Sequence, residues 1–304
     1  MTCGQRMRSE FRLKSFGLTH NDRHLFTRTP WLKNQLPFVL YRVAACLYQV
    51  VIFFAVQGAT GLLRPLLLVF LTQWAFIILT LHTIVSAALC FADYYNSRSQ
   101  RGASDDNRLS SNVVMETGST IELTTTGSRR AETNVSQQSA QTPPLPWYYK
   151  ICWVLYNVAF SGGIIVTILF WALFGRYVGI NVGDILFHAV NSVTIVIDVM
   201  VSGLPCRLLH FVYPSIFGGV YIIFTAIYWA SGGRGLYDYP FIYPVLDYGG
   251  NPALAAIVAV LGVLVAVPVC HCIVFALVVA RESLVHLLQR RNLSNSHGDD
   301  IATL

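Results

Sequence analysis

Six stretches of this chain are each long and apolar enough to cross a lipid bilayer, which takes about 20 mostly apolar residues as a helix. They cover residues 38–57, 66–92, 151–174, 184–205, 210–230 and 253–280. Lipid offers no partner to an open backbone, so each is expected to be a helix. The fold class expected is therefore an all-α membrane protein, a six-transmembrane-helix bundle. Only 12% of the residues are charged and 54% are hydrophobic, where a soluble domain carries about 25% charged.

The distribution of positive charge sets the expected orientation. With six spans both termini lie on one side. That side holds residues 1–37, the 93–149 loop, the turn at 206–209 and the tail. Of the 21 Lys and Arg, only Arg64, Arg176 and Arg234 fall in the opposite loops. Basic loops stay inside, so both termini are expected in the cytoplasm. In this count Arg42 belongs to the inner edge of the first span. The net charge of +6 is thereby explained as orientation, and no nucleic-acid partner is implied. Residues 1–37 hold seven basic residues and no long apolar core, so no cleavable leader is expected there.

The chain divides into five regions. Residues 1–37 are a cytoplasmic amino-terminal segment, 38–92 carry the first two spans, 150–280 carry the last four, and 281–304 form a cytoplasmic tail. Between them, 93–149 is rich in Ser, Thr, Asn and Gln, cannot bury enough apolar surface to offset ordering entropy, and is expected to be a disordered linker. The sequons at Asn134 and Asn292 lie on the cytoplasmic side and are expected to be unused. The loop 231–252, bounded by Gly and Pro and rich in Tyr, is expected to lie across the outer mouth of the bundle.

The seven cysteines show no zinc spacing and no even set for disulfides. Cys270-His271-Cys272 reads as small residues near a helix end. Cys90, Cys152 and Cys206 lie near membrane borders, where S-palmitoylation occurs. His82, Asp198 and His271 fall at similar depth, which could suit a metal, but neither metal nor cofactor is assigned.

The fourth span is unusually polar. Asp184, His188, Asn191, Ile195 and Asp198 fall at helical offsets of 4, 7, 11 and 14, which puts four polar groups on one stripe. Ionisable groups in lipid are costly, so the stripe should face the bundle interior. By helical rise, Thr72 and Gln73 of the second span reach a depth similar to His188 and Asn191. A hydroxyl beside an imidazole is the minimal arrangement for nucleophilic catalysis. Interhelical hydrogen bonding is the simpler account of the same residues. A channel or transporter lined by the stripe is a third reading, though no internal repeat supports it.

Three blocks carry a resemblance: WLKNQLPFVLYR at 31–42, NSVTIVIDVMVSGLPCRLLHFVYPSIFGGVY at 191–221 and YPFIYPVLDYG at 239–249. They resemble the rolling stone family of multi-pass membrane proteins, whose namesake is an insect protein needed for myoblast fusion. The resemblance implies a cell-membrane protein acting in fusion or differentiation, and the tail, with no retention signal such as KDEL, favours the plasma membrane over the endoplasmic reticulum. Its implied partners are membrane lipids and a lipid ligand or protein partner at the cell surface.

That family is in turn distantly similar to the androgen-induced family of membrane hydrolases, which use a threonine nucleophile and a histidine. By that likeness FLTQW places the nucleophile at Thr72, and Tyr243-Pro244 matches a YP motif of the last outer loop. The H-x-x-H-T segment reads His188-Ala189-Val190-Asn191-Ser192, so Asn191 stands where the catalytic histidine is expected. An amide has no basic nitrogen, and a general base typically supplies about 10²–10⁴-fold in rate. The expectation is a non-enzymatic protein with a lipid pocket. A hydrolase using Thr72 with His188 is the alternative.

Overall fold

A computed structural model describes residues 10–59, 65–117, 144–174 and 182–302. Arg64, Arg176 and the Asn134 sequon lie outside them. Among the described residues six helices are long and apolar enough to cross a membrane, at the places the sequence indicates.

We number these α1 (Leu36–Ala59), α2 (Leu71–Thr117), α3 (Trp147–Leu169), α4 (Val182–Val201), α5 (Val212–Ala230) and α6, which begins at Pro252–Leu261 and continues through Val267–Ala302. The end of the bundle where α1 begins and α6 finishes is called the terminal end, and the opposite end the far end.

α3 is the central helix and packs against α2, α4, α5 and α6. Its Trp153, Tyr156, Phe160 and Ser161 are buried. Gly162 and Gly163 let a neighbour approach closely: a Cβ on Gly163 would collide with Ile195 Cδ1 of α4. Small residues at such crossings permit the backbone contact that drives helix association in lipid.

Among the described residues three helices are widened by a π turn. α3 ends in one at Phe170–Phe174, α4 contains one at Ile185–Val190, and α6 contains one at Gly262–Ala266. A π turn frees a carbonyl from the regular ladder, and such turns often mark functional sites. In α4 the His188 carbonyl accepts from Thr167 Oγ1 of α3 at 2.7 Å, and Ser192 Oγ donates to Thr167 Oγ1 at 2.7 Å.

The expected disordered linker does not begin at residue 93. α2 continues as one helix to Thr117. Extending an existing helix adds one backbone hydrogen bond per residue without a new nucleus, so a polar sequence can follow an apolar span into helix.

The amino-terminal segment is also folded, strapped across the terminal end. Thr29 Oγ1 donates to the Val201 carbonyl at 2.7 Å, and Trp31 Nε1 to Met200 at 2.6 Å. Gly203 N–H donates to Arg28 at 3.0 Å. Arg207 Nη1 donates to Gly17 at 2.8 Å and Nη2 to Thr19 at 2.5 Å. The carbonyls left open at the end of α4 are further met by buried Arg281, which donates to Val199, Ser202 and Leu204 at 3.1, 2.5 and 3.1 Å.

Candidate functional cavity and the polar groups around it

The far end encloses a cavity of about 450 Å³ between α2, α3, α4, α5 and α6. All three π turns border it, through Phe170, His188 and Val263. Its walls are mostly aliphatic and aromatic, and its polar groups are Thr72, Gln73, Asp184, His188, Tyr221 and Tyr243. The volume and character are those of a small-molecule site, about 300–1,000 Å³ with a few placed polar groups.

Tyr243, Tyr221 and His188 are each held by their own local chemistry. The loop 231–251 covers the cavity, as its aromatic composition suggests, with Leu236, Ile242 and Tyr243 on the wall. The Tyr243 hydroxyl accepts from Leu71 N–H at 3.1 Å, meeting an open donor at the start of α2. Burial pushes the Tyr243 phenol up from its usual pKa. Tyr221 Oη donates to the Val69 carbonyl at 2.7 Å. The His188 ring stacks flat on Phe170, centroids 3.8 Å apart.

Thr72 and His188 share the wall, but no hydrogen bond joins them, and His188 Nδ1 has no partner among the described residues. Nucleophile–base contacts are often looser before substrate binds. The pair therefore has the right neighbourhood without a formed dyad.

The single stripe expected on the fourth span is divided among three destinations. Asp184 and His188 reach the cavity. Asn191 is buried deeper, against α3 near Gly163, and is not on the cavity wall. Asp198 faces α1: its Oδ1 accepts from Arg42 Nη1 at 2.6 Å and from the Tyr41 hydroxyl at 3.0 Å. The π turn at Ile185–Val190 explains part of this division, because an i→i+5 turn rotates the residues after it away from the direction a regular helix would give them. Arg42 is buried, not at the hydrated edge of its span.

No metal group forms among the described residues. His82 packs edge-on against Phe160, centroids 5.3 Å apart, Asp198 is taken by Arg42, and His271 lies elsewhere. Cys90, Cys152 and Cys206 are buried, which removes them as palmitoylation sites.

One polar cluster escaped the sequence reading. Ser161 Oγ lies 3.1 Å from His271 Nδ1, and His271 Nε2 lies 2.9 Å from the Arg207 carbonyl. Asn157 Nδ2 donates to Trp153 O at 2.7 Å and approaches His210 Nδ1 at 3.4 Å. The signal was the spacing Trp153, Asn157, Ser161 along one face of α3. Ser161 and His271 resemble a hydroxyl–imidazole dyad, but both are fully buried, so a substrate has no approach.

The six apolar helices among the described residues define a multi-pass helical membrane protein, with a cavity at the far end of its bundle. The family model described as Protein rolling stone matches residues 113–290, and the chain belongs to that family. The chain is also 28% identical to Protein rolling stone of Drosophila melanogaster over 255 residues, 80% of this chain and 78% of the fly protein. No solved structure matches it.

Proposed function

We propose that the protein is a non-enzymatic membrane factor that binds a lipid in its far-end cavity and acts in cell–cell fusion or differentiation at the plasma membrane, with both termini in the cytoplasm. The observation that carries the reading is the cavity itself: apolar walls suited to an acyl chain, with a few polar groups, Thr72, His188 and Tyr243 among them, on the wall. The fusion role follows the family, and the orientation follows the concentration of Lys and Arg at the terminal end. A lipid ligand or a protein partner at the cell surface would read the occupied state.

A second reading, a lipid-ester hydrolase, is favoured by one observation: Thr72 and His188 line the same cavity. It lacks a base at Asn191, whose amide cannot accept the threonine proton.

Two probes separate the readings. A photoreactive acyl lipid should cross-link to the cavity wall. A fluorophosphonate should leave the wild type unlabelled, while Asn191→His tests whether restoring an imidazole there creates reactivity. Labelling of the wild type that disappears in Thr72→Ala and weakens in His188→Ala would establish the hydrolase instead. Protease protection of tags at each terminus tests the orientation, and surface biotinylation tests the membrane.

A further inference from the structure

A second site lies at the terminal end, away from the cavity. α2 is apolar as far as Ala92 and turns polar at Asp93, which marks the edge of its hydrocarbon-facing run. Two clefts open there, of about 260 and 1060 Å³, with Arg28, Asp93, Ser97 and Arg101 as their common wall. The amino-terminal strap forms one side and α2 the other, joined by Arg28 Nε donating to Asp93 Oδ2 at 3.1 Å and Arg28 Nη2 donating to Ser97 Oγ at 3.2 Å.

The charge in these clefts is unbalanced. Arg23, Arg28, Lys33, Arg98 and Arg101 line them, and Asp93 is the carboxylate on their walls. Asp93 is already engaged by Arg28 and by His24, whose Nδ1 is 3.3 Å from Oδ1. Arg23, Lys33, Arg98 and Arg101 make no ion pair among the described residues. Exposed aromatics stand at the same level: Phe91 and Tyr95 on α2, and Trp147 at the start of α3. Aromatic side chains of this kind mark the membrane interface. Basic pockets at this depth take phosphorylated headgroups.

We propose that the paired clefts bind a multiply phosphorylated lipid headgroup of the phosphoinositide class. Four cations with no ion pair among the described residues, around two adjoining spaces, match more than one phosphate. Guanidinium groups hold phosphate oxygens in bidentate pairs, and Ser97 and Asn34 add neutral donors. The site requires the strap to be docked, because three of the five cations come from it.

The test uses the full chain in phosphatidylcholine nanodiscs with a small fraction of photoactivatable phosphatidylinositol bisphosphate. Cross-links are expected on 93–101 and on the strap. The exposed pair Arg98→Gln/Arg101→Gln should lower them about tenfold. The equally basic control Arg290→Gln/Arg291→Gln should leave them unchanged, and phosphatidylserine at matched charge should compete about tenfold less well than unlabelled phosphoinositide. Unchanged labelling in Arg98→Gln/Arg101→Gln, an equal loss in the control, or equal competition by phosphatidylserine would overturn the proposal. Displacement by soluble inositol trisphosphate as effective as by the lipid would overturn the lipid assignment and make the ligand a free phosphate ester.

Discussion

Arg42 sits within an apolar helix with only 2% of its surface exposed, and Asp198 is its counter-ion at 2.6 Å. A buried pair contributes little over a well-packed apolar pair, yet breaking one side is costly because the other charge remains. Asp198→Leu should therefore destabilise the bundle by about 3–5 kcal/mol, and Arg42→Met/Asp198→Leu should recover most of that loss. Denaturant titration in detergent micelles measures both. The sequence displayed both residues but not their pairing. Arg42 reads as interfacial by the positive-inside rule, and its partner is 156 positions away.

At the scale of elements, hydropathy revealed the spans because lipid imposes length and apolarity on each helix separately. It did not reveal where polar faces point. Asp184, His188, Asn191 and Asp198 obey a regular helical period, but a π turn and three different neighbours separate them. Thr72, Gln73, His188 and Tyr243, residues the sequence singles out, line the cavity; the Ser161–His271 cluster, built on two distant helices, was not legible.

The strap yields two expectations of its own. A Cβ on Gly203 would come within 2.6 Å of the Arg28 carbonyl and 2.8 Å of the Leu25 carbonyl, both backbone atoms that cannot rotate away. Gly203→Ala should lift the strap, seen as faster hydrogen exchange over residues 23–31 with α1–α6 still protected. His20 packs edge-on against Phe26 and Trp153. Burial lowers its pKa from 6.5, Arg207 adds to the effect, and the Asp22 carbonyl, with the charges of Asp22 and Glu282, opposes it. The undocked strap therefore takes up the proton more readily than the docked one. Docking is strongest above pH 6.5 and weakens as pH falls below it. Hydrogen exchange across that range should show the loosening, and His20→Phe should flatten it.

The whole molecule has two chemically distinct ends: an apolar cavity under a tyrosine-rich loop, and a basic strap-and-helix cleft. Distant sites with no shared side chains act additively. Filling the cavity with Ala259→Phe should reduce acyl-lipid cross-linking severalfold while leaving phosphoinositide labelling at Arg98 and Arg101 intact. The reverse should hold for Arg98→Gln/Arg101→Gln.

The Arg42–Asp198 pair also has a timetable. Chains are synthesised at about 5–20 residues per second, so the 156 residues between the partners take about 8–30 s to make. For that interval α1 exists without its counter-ion, and Arg42 has only water to solvate it or lipid phosphate to pair with. The Arg42–Asp198 contact therefore forms only once α4 has been made and has packed beside α1.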